Sequence, residues 1–142
     1  MPASSLIYTG SWRGGVDTEK LALISISRSA PRGRRGFLRY AALCPGIWFR
    51  DPMPDELWAA RYKREILARL DPAKVVEDIA DLAGGRPAVL MCWEPPPPNR
   101  AWCHRALVSL WLQERLGLDV PEIDHEHLGC GCLHPKLPPN LL

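Results

Sequence analysis

Apolar residues recur along this chain in two rhythms, and the switches between them mark its elements. Residues 6–8 (LIY) form a short apolar run that stops at Gly10, predicting a strand that closes on a turn. Residues 21–26 (LALISI) predict a second strand, ending in the loop SRSAPRGRRG. About ten residues separate the two, into which a helical crossover barely fits. After Asp51, Pro52 and Pro54 the spacing changes to four, through Trp58, Tyr62, Ile66 and Leu70, which predicts a helix. Asp71 reads as the N-cap of a second helix with Pro72 in its first position. That helix carries Val75, Val76, Ile79, Leu82 and Ala83 on one side and stops at Gly84-Gly85. Residues 87–93 (PAVLMCW) are almost continuously apolar, as a buried parallel strand requires. The prolines of EPPPPNR then stiffen a loop. A third helix is expected from Trp102 or Cys103 to Leu116, with Leu107, Leu110 and Trp111 as its stripe and Gly117 as its cap. Residues 119–127 predict a last short strand, pushed toward an edge by Pro121.

This order predicts a small three-layer α/β domain with a mostly parallel sheet of about four strands. At 142 residues the chain holds one domain, expected over residues 1–123, with residues 124–142 as a C-terminal extension. The 46% hydrophobic and 24% charged content excludes wholesale disorder. No apolar run approaches the ~18 residues of a membrane span, and no basic and apolar leader follows Met1. The expectation is a cytoplasmic protein with no membrane partner.

Net charge is +2, but residues 1–50 carry eight basic and two acidic side chains, whereas residues 51–142 carry ten and fourteen. Arg28, Arg32, Arg34, Arg35 and Arg39 fall within twelve positions. Guanidinium groups in such a run suit phosphate oxygens, of a nucleotide-like ligand or of nucleic acid gripped through residues 28–39. A solvated arginine-rich loop is the plainer reading. Five cysteines cannot complete a disulfide framework. Four of them (Cys92, Cys103, Cys130 and Cys132) lie in the second half, where clustering points to metal or reactivity.

Ligands of open α/β sheets sit beyond the carboxyl ends of the strands. Cys92 and Glu94 are two apart at such an end and share a side if the chain stays extended. Cys103, His104 and Arg105 open the next helix, whose free N–H groups stabilise anions and lower a thiol's pKa. Cys103 is the candidate nucleophile or acid, Glu94 and His104 the proton-transfer groups, and Arg105 the anion clamp. Structural readings stand beside these. Cys92 and Cys103 suit a packed core, and Arg105 at a helix N-terminus needs a partner, for which Glu94 is the obvious candidate.

Cys92-Trp93-Glu94, a loop, and Trp102-Cys103-His104-Arg105-Ala106-Leu107-Val108 resemble the signature of the domain-of-unknown-function 488 family. The resemblance covers about residues 6–123. It includes Ile7-Tyr8-Thr9, Ile24-Ser25-Ile26-Ser27 with Pro31, Leu43-Cys44-Pro45, Tyr62 and Leu70-Asp71-Pro72. It implies a Rossmann-like α/β domain without a settled activity, and marks the Cys-His-Arg block as the site. Tyr8 and Arg28 join Arg105 as expected substrate-binding residues. The loop PPPPNRA is longer than the family's, and the tail from about residue 124 is an addition.

That tail places His125, His127, Cys130, Cys132 and His134 within ten residues. Two imidazoles and two thiolates suit tetrahedral zinc, so His125, His127, Cys130 and Cys132 are the candidate metal ligands. Each pair, however, leaves one intervening residue where structural zinc sites leave two to four. A variant brings Cys92 or Cys103 to Cys130 and Cys132 around a metal or iron–sulfur centre. Three functions therefore stay open. They are an enzyme acting on a small anionic or nucleotide-like substrate, a non-catalytic nucleotide or nucleic-acid binding module, and a metal-stabilised interaction domain.

Overall fold

In the computed structural model, which describes residues 6–16 and 19–142, four short strands form one sheet. These are β1 (Ile7–Ser11), β2 (Ala22–Ser25), β3 (Phe37–Arg39) and β4 (Ala88–Cys92). They lie in the order β1-β4-β2-β3, and every neighbouring pair is parallel. Three helices follow the expected rhythm: α1 (Asp55–Glu65), α2 (Pro72–Ala83) and α3 (His104–Leu116). The class is therefore α/β with an all-parallel sheet, and no helix among the described residues is long and apolar enough to cross a membrane.

β4 is buried at every position because it lies between two strands and under a layer on each face. It also separates β1 from β2, so the short link between them joins strands that are not neighbours. Alternation of side chains sorts the two faces. Ile7, Ala22, Ile24, Ala88 and Leu90 face the helices and pack with Tyr62, Ile79 and Leu107. Val89 and Met91 point the other way, onto Trp12, Val16 and Leu23, with Phe37, Trp93 and Ile123 around them. All three helices lie on the first face, so the third layer is loop.

Local chemistry explains most boundaries. The Asp71 carboxylate accepts the Ala73 N–H at 3.1 Å, Pro72 opens α2, and Gly84 ends it at φ 61°. α1 stops before the expected Leu70 and gives way to a 3-10 turn at Leu67–Arg69. β3 was not expected: it is three residues at the sheet edge, too short for periodicity to register. The strand expected over 119–127 is reduced to two isolated bridges, Thr9 with Glu122 and Pro121 with Cys130. Pro121 has no N–H to extend a ladder, and Asp124 turns the chain at φ 66°. The segment expected as an extension shares the main core, into which it sends Leu137 and Leu141.

Asp71→Ala removes the cap of α2 and should lower stability by about 1 kcal/mol, read as a shift of the urea midpoint at unchanged slope.

Candidate functional site

The cysteine cluster is assembled by the end of a strand and the start of a helix. Cys92 is the last residue of β4 and, two after Leu90, faces the helix layer. Cys103 is the N-cap of α3, extended at φ −145° and ψ 147°, and its N–H is held by the Lys136 carbonyl at 3.3 Å. His104 is the first helical residue. Its Nε2–H donates to the Ile26 carbonyl at 2.9 Å, which leaves the lone pair on Nδ1. That nitrogen lies 3.4 Å from Cys92 Sγ and 3.9 Å from Cys103 Sγ. Tyr62, edge-on at 5.2 Å, and Trp58, at 6.0 Å, hold the imidazole ring. Glu94 follows as expected, its Oε1 accepting from Cys92 Sγ at 3.6 Å.

These groups line a cleft of about 260 Å³ beyond the carboxyl ends of β2 and β4. Ser27, Arg28 and Ser29, from the loop after β2, line it too, with Asp55, Trp93 and Trp102. The Trp93 indole N–H donates to the Ser29 carbonyl at 2.9 Å, tying the two strand-end loops together. Arg28 is exposed, donates to the Pro45 carbonyl at 3.1 Å, and lies over the Phe49 ring at 5.7 Å.

Two buried thiols this close cannot both ionise. Burial, followed by the neighbouring Cys103 and Glu94, pushes the Cys92 thiol well up. Burial also opposes ionisation of Cys103, but its bond with Cys92, the Arg105 charge and His104 outweigh it and bring Cys103 well below a free thiol. Burial and the Cys103 sulfur raise the Glu94 carboxyl.

Arg105, expected as the anion clamp, is fully buried and is not among the residues that line the cleft. Its Nε and Nη2 donate to the two oxygens of Glu122 at 2.9 and 2.7 Å, and Nη1 donates to the Glu94 carbonyl at 3.1 Å. The expected partnership with Glu94 is therefore to its backbone, and the ionic partner is Glu122. Burial opposes ionisation of Glu122, but Arg105 overrides it and holds the carboxyl below the usual range. A chain of hydrogen bonds continues outward. The Lys136 N–H donates to His134 Nδ1, so His134 Nε2–H donates to Thr9 Oγ1 at 2.7 Å, and Thr9 donates to Glu122 Oε1 at 2.7 Å. Lys136, also buried, gives its Nζ protons to the Asn99 carbonyl at 2.7 Å. No sequence pattern pointed to Glu122, His134 or Lys136 as one network with Arg105.

Other expected residues stand elsewhere. Tyr8 packs on the sheet face opposite the helices and does not line the cleft, because it is one residue out of phase with Ile7 and Thr9. The tail residues His125, His127, Cys130 and Cys132 do not gather into a three-ligand group among the described residues. A 3-10 turn at Glu126–Leu128 carries the histidines, whose rings are 6.5 Å apart. Cys130 pairs with Pro121, and Cys132 is exposed on a second turn. Neither Cys130 nor Cys132 joins the group formed by Cys92 and Cys103. In the arginine run, Arg39 donates to the Arg28 carbonyl and Arg34 covers Trp12.

Fold and site together define a small parallel α/β protein with a thiol–imidazole cluster at the carboxyl end of its sheet. No family model, curated protein or solved structure matches the chain.

Glu122→Gln leaves a buried guanidinium unbalanced and should cost about 3–5 kcal/mol in denaturant titrations. His134 supplies a pH dependence. Burial, aided by Arg105 and opposed by Glu122, pushes it from 6.5 down to about 4. Between these values the unfolded chain takes up a proton that the folded one does not, so this stability is present above about pH 6.5 and lost toward pH 4. The loss should approach about 3 kcal/mol. Urea midpoints across this range should fall less steeply in His134→Asn than in the parent.

Proposed function

We propose that this protein is an enzyme acting on a small anionic, nucleotide-like substrate, with the Cys92, Cys103 and His104 cluster as its reacting centre. The observation that carries the reading is the shared cleft, where the Cys103 sulfur, the lone pair of His104, the Glu94 carboxyl and the Arg28 guanidinium line one hollow. Arg28 takes the anionic group, since it is the exposed cation of a lining that also holds the Asp55 and Glu94 carboxyls. Trp93 and Trp102 offer flat apolar surface for the remainder of the substrate.

The chemistry that suits these groups is group transfer through sulfur. The Cys103 sulfur bonds to the electrophilic atom of the substrate as the bond to the leaving group breaks. The thiol proton passes to His104 Nδ1, and Glu94 protonates the departing atom. Water then cleaves the thio-intermediate: Glu94 takes back a proton from the water as its oxygen bonds to the electrophilic atom, and His104 returns its proton to the departing sulfur. The resemblance to the domain-of-unknown-function 488 family belongs to the same proposal, for its two signature blocks are the segments that meet at the cleft.

The reading is tested on the reduced, chelator-treated protein by comparing alkylation of Cys103 by iodoacetate and by iodoacetamide, mapped by peptide mass. A cleft built for anions should favour the charged reagent by about fivefold relative to the exposed Cys132, the equivalent of roughly 1 kcal/mol of charge attraction. Arg28→Gln should abolish that preference, and inorganic phosphate should slow iodoacetate in the parent alone. Equal reagent preference at Cys103 and Cys132, or no labelling of Cys103 in the folded protein, would leave the proposal without support.

A further inference from the structure

The geometry points to Cys92, Cys103 and His104 as a three-ligand site for a soft divalent cation such as zinc, with its fourth position open to the cleft. This goes beyond the enzyme reading, with which it shares residues but not its test. Cys92 Sγ, Cys103 Sγ and His104 Nδ1 all lie within 4.8 Å of one another, and among the described residues they are the group so gathered. A tetrahedral cation with zinc–sulfur and zinc–nitrogen bonds of roughly 2.3 and 2.0 Å places an S and an N ligand roughly 3.5 Å apart. The imidazole nitrogen lies 3.4 and 3.9 Å from the two sulfurs. Both separations suit an ion shared by the imidazole and either sulfur, and all three donors lie within 4.8 Å of one another.

Three further features fit. The Nε2–H bond to the Ile26 carbonyl is the outer-sphere contact that fixes a metal-binding histidine in the tautomer with Nδ1 free. Two thiolates and a neutral imidazole balance a dication, which suits a site where both sulfurs are buried. Sulfur donors select zinc-like ions over magnesium or calcium. The three ligands leave a fourth position on the cleft side, where Glu94, beside Cys92, can hydrogen-bond a water or an anionic ligand bound there. Loading the ion withdraws Cys103 from nucleophilic work and presents a Lewis-acidic position to the same cleft, so occupancy sets which chemistry the cleft offers.

The experiment is a titration of the reduced, chelator-treated full chain with cobalt(II), followed by zinc displacement. One equivalent should produce a thiolate-to-cobalt charge-transfer band that zinc removes. Cys92→Ser and Cys103→Ser should each lose the band, and His104→Ala should weaken binding by a factor on the order of ten or more. Cys130→Ser and Cys132→Ser should leave it unchanged. A measurement on the parent chain guards against misfolded variants: zinc should protect Cys92 and Cys103, but not Cys132, from alkylation. Absence of the band at excess cobalt, its survival in Cys103→Ser, or protection of Cys132 with Cys103 still reactive would each overturn the inference. Such a failure leaves the iodoacetate preference of metal-free protein intact, whereas loss of that preference with the cobalt band present overturns the enzyme reading alone.

Discussion

The ion pair between Arg105 and Glu122, sealed from water, sets where the reactive groups stand. A cation in the first turn of a helix opposes the helix dipole, and one buried completely, as Arg105 is, needs a carboxylate beside it. Each remaining donor or acceptor of the pair fastens another element. Nη1 of Arg105 holds the Glu94 carbonyl and so ties the loop leaving β4 to α3. Glu122 takes the Thr9 hydroxyl of β1, which in turn holds His134 of the tail. Such a pair adds little net stability over a well-packed apolar substitute, since both charges have left water. Its effect is positional: the strand end, the helix start and the tail are pinned to one another next to Cys103 and His104.

The same arrangement sets the charge the sulfurs feel. Arg105, held by Glu122 at 2.7 Å, and the N–H groups of the first turn of α3 favour the thiolate of Cys103. Cys92, buried at the end of β4 beside Cys103 and Glu94, is held well above a free thiol and keeps its proton. The cluster therefore holds one acidic and one reluctant thiol with an imidazole lone pair between them. Without a counter-ion it stabilises a single negative charge. With a soft dication in its centre it stabilises two.

Much of this was legible in the chain, and the reasons are local. α2 could be placed to the residue because Asp71, Pro72 and Gly84 each act through the backbone of their own turn. β4 announced itself because a strand covered on both faces must be apolar throughout. The meeting of Cys92, Glu94, Cys103 and His104 followed from two boundaries that were each well marked. What stayed hidden depends on contacts across long sequence distances. Glu122 is a lone acidic residue after a proline, and only tertiary packing places it against a side chain 17 positions earlier. Thr9 and His134 meet across 125 positions. The facing of Tyr8 depends on the phase of β1, which a three-residue apolar run cannot set because either parity fits.

The two cysteine-containing clusters show what distinguishes a ligand-rich segment from a ligand site. The tail concentrates five imidazoles and thiols in ten residues, yet its described side chains do not gather around one point. Gly129 and Gly131, at φ 111° and 58°, break that segment into two short turns, so neighbouring donors leave the chain in different directions. Cys92 comes from one segment and the adjacent Cys103 and His104 from another, but each segment is fixed by an element whose direction the core dictates. Cys103 is still extended and His104 already helical, and this change of backbone at the N-cap lets two adjacent side chains reach one centre. Density of donors in sequence raises the number of candidate ligands. Rigidity at a strand end and a helix start supplies the common point, and here that rigidity traces back to the buried pair behind them.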